Sequence, residues 1–238
     1  MKRGFRLGSA AAAVVLVLTV LLRQFDSWLV PALSSAQPET LPSVLILDAG
    51  HGGEDGGAVS VTGVSESQIN LAIVLKLDDI LGFYGVVPVL LRSEDISLHD
   101  PDAVTLREKK VSDLKNRAEA IQQIPGATLI SIHQNTYQEE KYHGAQTFYA
   151  PTQGSQELAE QIQEALASAL QPDNTRQAKQ IPDTVYLMNH ISCRAVLVEC
   201  GFLTNHQEEA MLRDGGYQKK LACVLCGVWL GDESPSRL

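Results

Sequence analysis

The segment 44–57, VLILDAGHGGEDGG, restricts what this chain can fold into more than any other. An apolar, partly β-branched run reaches Asp48 and His51 and then dissolves into glycines, the pattern of a buried strand that stops at a tightly turning loop. In open α/β sheets ligands sit just beyond the carboxyl ends of strands, so His51 occupies a working position. Two further apolar runs close in the same way: TLISIH ends at His133, and AVLVEC carries Glu199. One polar residue closing a buried strand is ordinary, but three at the same end of one sheet converge in space.

Around these runs, strands alternate with helices, which predicts an α/β architecture. Strands are expected at 43–48, 86–91, 127–132, 144–150, 184–188 and 195–200, with Pro88 placing the second at a sheet edge. Helices are expected from Ser65 to about Leu81, over 106–124, from Ser155 to a stop at Pro172, and as two stretches ending near Leu230. Ser65 with Gln68, and Asn205 with Glu208, have capping-box spacing. No internal repeat is present.

Glu66 follows the Ser65 cap and so sits in the first turn of its helix, whose positive end favours a carboxylate. It either complements that dipole alone or returns across the glycine loop to meet His51. Two imidazoles and one carboxylate with an open fourth position form the catalytic zinc arrangement of hydrolases. Such an ion lowers the pKa of bound water toward about 7 and polarises an amide carbonyl. A further carboxylate must then carry the proton to the leaving amine. Glu199, between Val198 and Cys200, fits that role, because desolvation raises its pKa. Asp48 either orients a histidine ligand or receives backbone hydrogen bonds in the turn. His99, His143, His190 and His206 fall in loops or at a helix start and read as ordinary.

Charge and composition exclude other classes. The net charge is −9, and residues 1–36 hold Lys2, Arg3, Arg6 and Arg23 against Asp26, leaving −12 for residues 37–238. With no Lys/Arg cluster in so acidic a body, nucleic acid is not an expected partner. Gly50-x-Gly52 after a strand has the start of a dinucleotide loop, yet Asp55 stands where the last small residue belongs, and no P-loop lysine follows. The leader places three cations before an uncharged run over 7–22, which reads as a signal peptide or signal anchor, with a buried N-terminal helix as the plainer alternative. Residues 37–42 read as a linker, 43–230 as the folded domain and 231–238 as a tail. The protein is therefore expected to be exported, with membrane contact through its N-terminus if the leader is retained. The lone Cys223-x-x-Cys226 pair, on one helical face, is weak evidence for a metal and reads as small buried hydrophobes; with Cys193 and Cys200 it leaves disulfides open after export.

At LDAGHGGEDGGAVS, SESQINLAI, Arg92 after a strand, LISIHQN, GAQTFY and LVECGFLTN, the chain resembles the zinc-dependent N-acetylmuramoyl-L-alanine amidases of the amidase-3 family. The likeness spans about 43–230, with Ala49 where the family usually has proline and Cys200 where a small apolar residue is commoner. The resemblance implies one domain with a twisted mixed β-sheet packed by helices on both faces, of phosphorylase/hydrolase-like architecture. It implies Zn²⁺ held by His51, Glu66 and His133, with Glu199 as the catalytic glutamate. The substrate implied is the peptidoglycan amide between N-acetylmuramic acid and L-alanine. RQAKQIPDTVYLMNHIS and REKKVSDLKNRAEAI are similar to the germination-specific subgroup, which implies muramic-δ-lactam formation in the spore cortex and a possible activating lipoprotein partner. Two alternatives stay open: a zinc peptidase acting within the stem peptide, and a non-catalytic wall-binding or regulatory module.

Overall fold

The computed structural model describes residues 43–232. The leader 1–36, the linker 37–42 and residues 233–238 of the expected tail lie outside the described residues. Six strands form one sheet in the order β2-β1-β3-β6-β4-β5. These are β1 (Val44–Ala49), β2 (Val89–Leu90), β3 (Ala127–Asn135), β4 (Gln146–Tyr149), β5 (Lys179–Gln180) and β6 (Arg194–Phe202). The helices are α1 (Glu66–Phe83), α2 (Leu106–Gln122), α3 (Ser155–Leu170), α4 (Tyr186–Asn189), α5 (His206–Arg213) and α6 (Gly215–Asp232). All strand pairs are parallel except β4 with β6, so the sheet is mixed. Among the described residues, no helix is long and apolar enough to cross a membrane.

The sheet is buried on both faces, which is why its central strands read as continuous apolar runs. Leu45, Leu47, Ile130, Ile132, Val196 and Val198 pack with Ile73 and Leu77 of α1, Leu158 and Ile162 of α3, and Leu225 and Trp229 of α6. The alternate residues Ile46, Leu129, Ala195 and Leu197 pack with Ala118 and Ile121 of α2 and with Leu187 and Met188 of α4. Strand periodicity then places Asp48, Ser131, His133 and Glu199 on this second face, toward the carboxyl end.

Several local expectations are corrected. The segment 184–188 is not a strand: α4 starts at Tyr186, and Asn189 Nδ2 holds the Pro182 and Val185 carbonyls at 3.0 and 2.8 Å. That turn buries both Leu187 and Met188, which a strand would have split between two faces. The strand in this region is the exposed pair Lys179–Gln180, on the edge beyond β4. Of the expected 86–91 strand only Val89–Leu90 pairs, consistent with its edge position and with Pro88 having no N–H to donate. Ser65 is the N-cap of α1 but its side chain makes no cap bond, and its hydroxyl meets Ser67 instead. Asn205 does cap α5, whereas Glu208 turns away to accept the Phe202 and Gly144 N–H groups at 2.8 Å each. A complete capping box forms at α2, between Thr105 and Glu108. All four cysteines are free; Cys200 and Cys226 are buried and Cys223 is exposed.

Candidate metal centre and active site

His51, Glu66 and His133 each offer one ligand atom, and these atoms lie within 4.8 Å of one another. Each arrives from a different element: the loop after β1, the first turn of α1 and the end of β3. The two imidazole rings stand edge to face, with centroids 5.2 Å apart. Glu66 lies between them, its Oε1 at 3.0 Å from His133 Nδ1 and its Oε2 at 3.4 Å from His51 Nε2. Burial pushes the Glu66 carboxyl up, but hydrogen bonds to and charge on His133 and His51 outweigh it and hold it far below the usual range. Two imidazoles and a carboxylate this close are a donor set that fits a divalent ion with one position left open. The helix-dipole reading of Glu66 is thus incomplete, because its side chain faces both histidines.

The glycines make this approach sterically feasible. A Cβ on Gly50 would lie 2.2 Å from His133 Cε1, and one on Gly57 (φ 68°) would lie 2.6 Å from Glu66 Oε2. His51 itself takes φ 63°, the one non-glycine described residue in the left-handed region.

Two buried arginines hold this turn by its backbone. Arg92 donates to the carbonyls of Ala49 at 2.7 Å, Gly50 at 3.1 Å and Ser67 at 2.9 Å, so one guanidinium ties the His51 loop to the first turn of α1. Arg117 donates to the carbonyls of Ala49 at 3.1 Å and His51 at 2.9 Å, and is paired with Asp48 and with Asp113 at 2.7 Å. Asp48 therefore does neither of the two things expected of it. It pairs with Arg117 and accepts from Ser131 at 2.6 Å, reaching the histidine loop only through the guanidinium. Asn70 Nδ2 bridges the Gly50 carbonyl at 3.1 Å and Glu66 at 3.3 Å, and Gln134 Nε2 reaches Asn70 at 3.1 Å.

Asp55 is the histidine partner that sequence reasoning missed. Its Oδ2 is 3.0 Å from His51 Nδ1, leaving Nε2 to face Glu66. The sequence marks it only as out of place in a dinucleotide loop, although its i+4 spacing from His51 is visible in the chain. Burial depresses the His51 imidazole, but its bonds to Asp55 and Glu66 more than reverse this and carry it to about 9.

Glu199 sits beside His133 in the β3–β6 register. Its Oε2 is sealed from solvent and has no hydrogen-bond partner among the described residues. Burial pushes this carboxyl up to about 7, against the pull of His133. His99, His143, His190 and His206 take no part in the cluster: His99 meets Ser97, His190 stacks on Tyr186, and His206 lies 3.7 Å from Glu140.

The sequence matches the amidase-3 family, N-acetylmuramoyl-L-alanine amidase, over residues 45–226. The chain belongs to this amidase family. It is 33% identical to the germination-specific N-acetylmuramoyl-L-alanine amidase of Bacillus subtilis over 83% of this chain and 80% of the relative. The CwlD amidase of Clostridioides difficile, solved in complex with the GerS lipoprotein, superposes with a TM-score of 0.76 at 40% identity, over 79% of this chain and 97% of that one. The catalytic domain of the amidase CwlV from Bacillus (Paenibacillus) polymyxa var. colistinus gives a TM-score of 0.67 at 28% identity, over 80% of this chain and 97% of that one. The fold of this amidase, a six-stranded mixed sheet with helices on both faces, is that of its structural neighbours.

Proposed function

We propose that this amidase is zinc-dependent, with His51, Glu66 and His133 as the ligands and Glu199 as the residue that moves the proton. The observation that carries the reading is the unpartnered Glu199 Oε2 beside a three-ligand cluster. When bound there, zinc supplies Lewis-acid polarisation of the amide carbonyl and an acidified water. Asp55 accepts from His51 Nδ1 and so presents Nε2, while Arg92 and Arg117 fix the loop that carries it. Glu199 accepts the proton of the attacking water at Oε2 and returns it to the L-alanine nitrogen as the bond to the lactyl carbonyl breaks. A carboxyl near 7 suits both halves of that transfer.

The resemblance to the germination-specific enzyme and to CwlD supports a role in the spore cortex, in muramic-δ-lactam formation. That CwlD was solved with a lipoprotein supports an activating lipoprotein partner here. Relatives that act on cell walls support an extracytoplasmic location, with residues 1–36 as a signal peptide or anchor and 37–42 as a linker to the catalytic domain. The test is mass spectrometry of purified muropeptides after incubation with and without chelator. Chelator-sensitive release of stem peptides beginning at L-alanine is expected, and cuts inside the peptide would replace the amidase reading with a peptidase.

A further inference from the structure

A cavity of about 290 Å³ opens beside the rings of His51 and His133, on the sheet face that also carries Glu199. It lies between the carboxyl ends of β1, β3 and β6 and the helices α2 and α4. Leu114, Val185, Leu187, Met188 and Leu197 make its apolar wall. Its charged lining is mostly engaged already: Asp48 and Asp113 both pair with Arg117, and Asp55 with His51. Lys110 differs from these groups. Its side chain is 49% exposed, and its Nζ makes only a 3.3 Å contact with Asp55, a carboxylate it shares with His51.

The occupant follows from the substrate. A molecule with its amide at the triad has a saccharide half and a peptide half. A half-apolar cavity with one exchangeable cation at its mouth matches the peptide half. The alanine methyl and the methylenes of the next residue suit the apolar wall. In peptidoglycan that next residue is a glutamate joined through its side chain, so its α-carboxylate is free unless it has been amidated. In a body carrying −12, a carboxylate is repelled over most of the surface. Beside the site, α2 offers Lys110, since Arg117 is held by Asp48 and Asp113 and Lys109 by Glu54 at 2.5 Å.

We propose that this cavity is the stem-peptide subsite and that Lys110 is its specificity residue, reading the α-carboxylate of the residue after L-alanine. The assignment rests on the amidase reading of the triad and adds the direction in which the substrate lies across it: peptide toward α2 and α4. A charge-assisted bond at a half-exposed lysine corresponds to roughly tenfold in affinity.

The experiment is calorimetric titration of zinc-loaded protein with L-alanyl-D-glutamate capped at its γ-carboxyl as a methylamide, and with the α-amide of the same compound, both uncleavable here. Wild type should bind the acid about tenfold more tightly than the amide. Lys110→Gln should erase that preference while leaving affinity for the amide within about twofold. Val185→Trp, at the partly exposed rim, should weaken both ligands about tenfold or more with zinc content unchanged. Equal binding of acid and amide by wild type, a preference that survives Lys110→Gln, or full affinity in Val185→Trp overturns the assignment. Because these ligands are not turned over, failure to hydrolyse a muramyl amide while the preference is intact would count against the catalytic reading and leave this one standing.

Discussion

The Nη2 of Arg117 lies 2.9 Å from the backbone carbonyl of His51, and His51 is held at φ 63°. A left-handed conformation is uncommon for a residue with a side chain, although histidine tolerates it better than most. Here the turn aims the imidazole at Glu66, and a buried guanidinium keeps the turn in place. Replacing Arg117 with alanine would free the loop and strand Asp48 and Asp113 without their cation. The expected loss is about 3–5 kcal/mol of stability, measured by urea unfolding of the metal-free protein. In the fraction that remains folded, metal affinity should fall roughly 10- to 100-fold. Unchanged affinity would mean the loop keeps its conformation without the guanidinium.

The buried Arg117–Asp48 pair sets an acid limit on stability. Burial pushes the Asp48 carboxyl up, but the charge of Arg117 and the Ser131 hydroxyl outweigh it, and the folded value lies below the ordinary 3.8. As pH falls the unfolded chain therefore takes up the proton first. The contribution is complete above the ordinary aspartate range and is lost as pH falls through the folded value. Urea midpoints should decline below about pH 4, and Asp48→Asn should lower the plateau and flatten that decline. An equal acid slope in the variant would move the effect to other carboxylates.

Glu199→Gln keeps the shape of the side chain and removes its basicity. Zinc content should stay stoichiometric while turnover falls about 10²- to 10⁴-fold. His133→Ala should show the opposite pattern, loss of zinc in metal analysis of a protein whose circular dichroism is unchanged. Full activity in the first variant, or stoichiometric zinc in the second, would remove that residue from its role.

Gly50→Ala separates the site from the fold. The added methyl would lie 2.2 Å from the His133 ring, and the backbone at Gly50 needs no left-handed conformation. The protein should fold, with the imidazole displaced and zinc affinity reduced at least tenfold. A variant that binds zinc normally would show that the ring has room to move.

His51, His133 and Glu199 were legible in the chain because each lies at or near the end of an apolar run, and a sheet gathers the ends of its strands. Glu66 was legible from its place after a helix-starting serine. The α/β alternation followed from the same hydrophobic periods, and it holds for every central strand. The expected strand at 184–188 failed because its β-branched composition was outweighed by burial of Leu187 and Met188 on one side and by the Asn189 hook. Local propensity is the weaker force wherever packing disagrees with it.

By itself, then, the sequence determined the class of fold, the amidase family and the four residues, His51, Glu66, His133 and Glu199, that are the candidates for its chemistry. Each of these depends on near neighbours in the chain or on motifs short enough to read. The tertiary structure alone decided what holds the cluster in shape: Arg117 against His51 across 66 positions, Arg92 joining Gly50 to Ser67, and Lys110 at the mouth of a cavity opposite α4. A buried guanidinium finds its partners by the packing of whole helices against a sheet, and no local spacing in the chain records that contact.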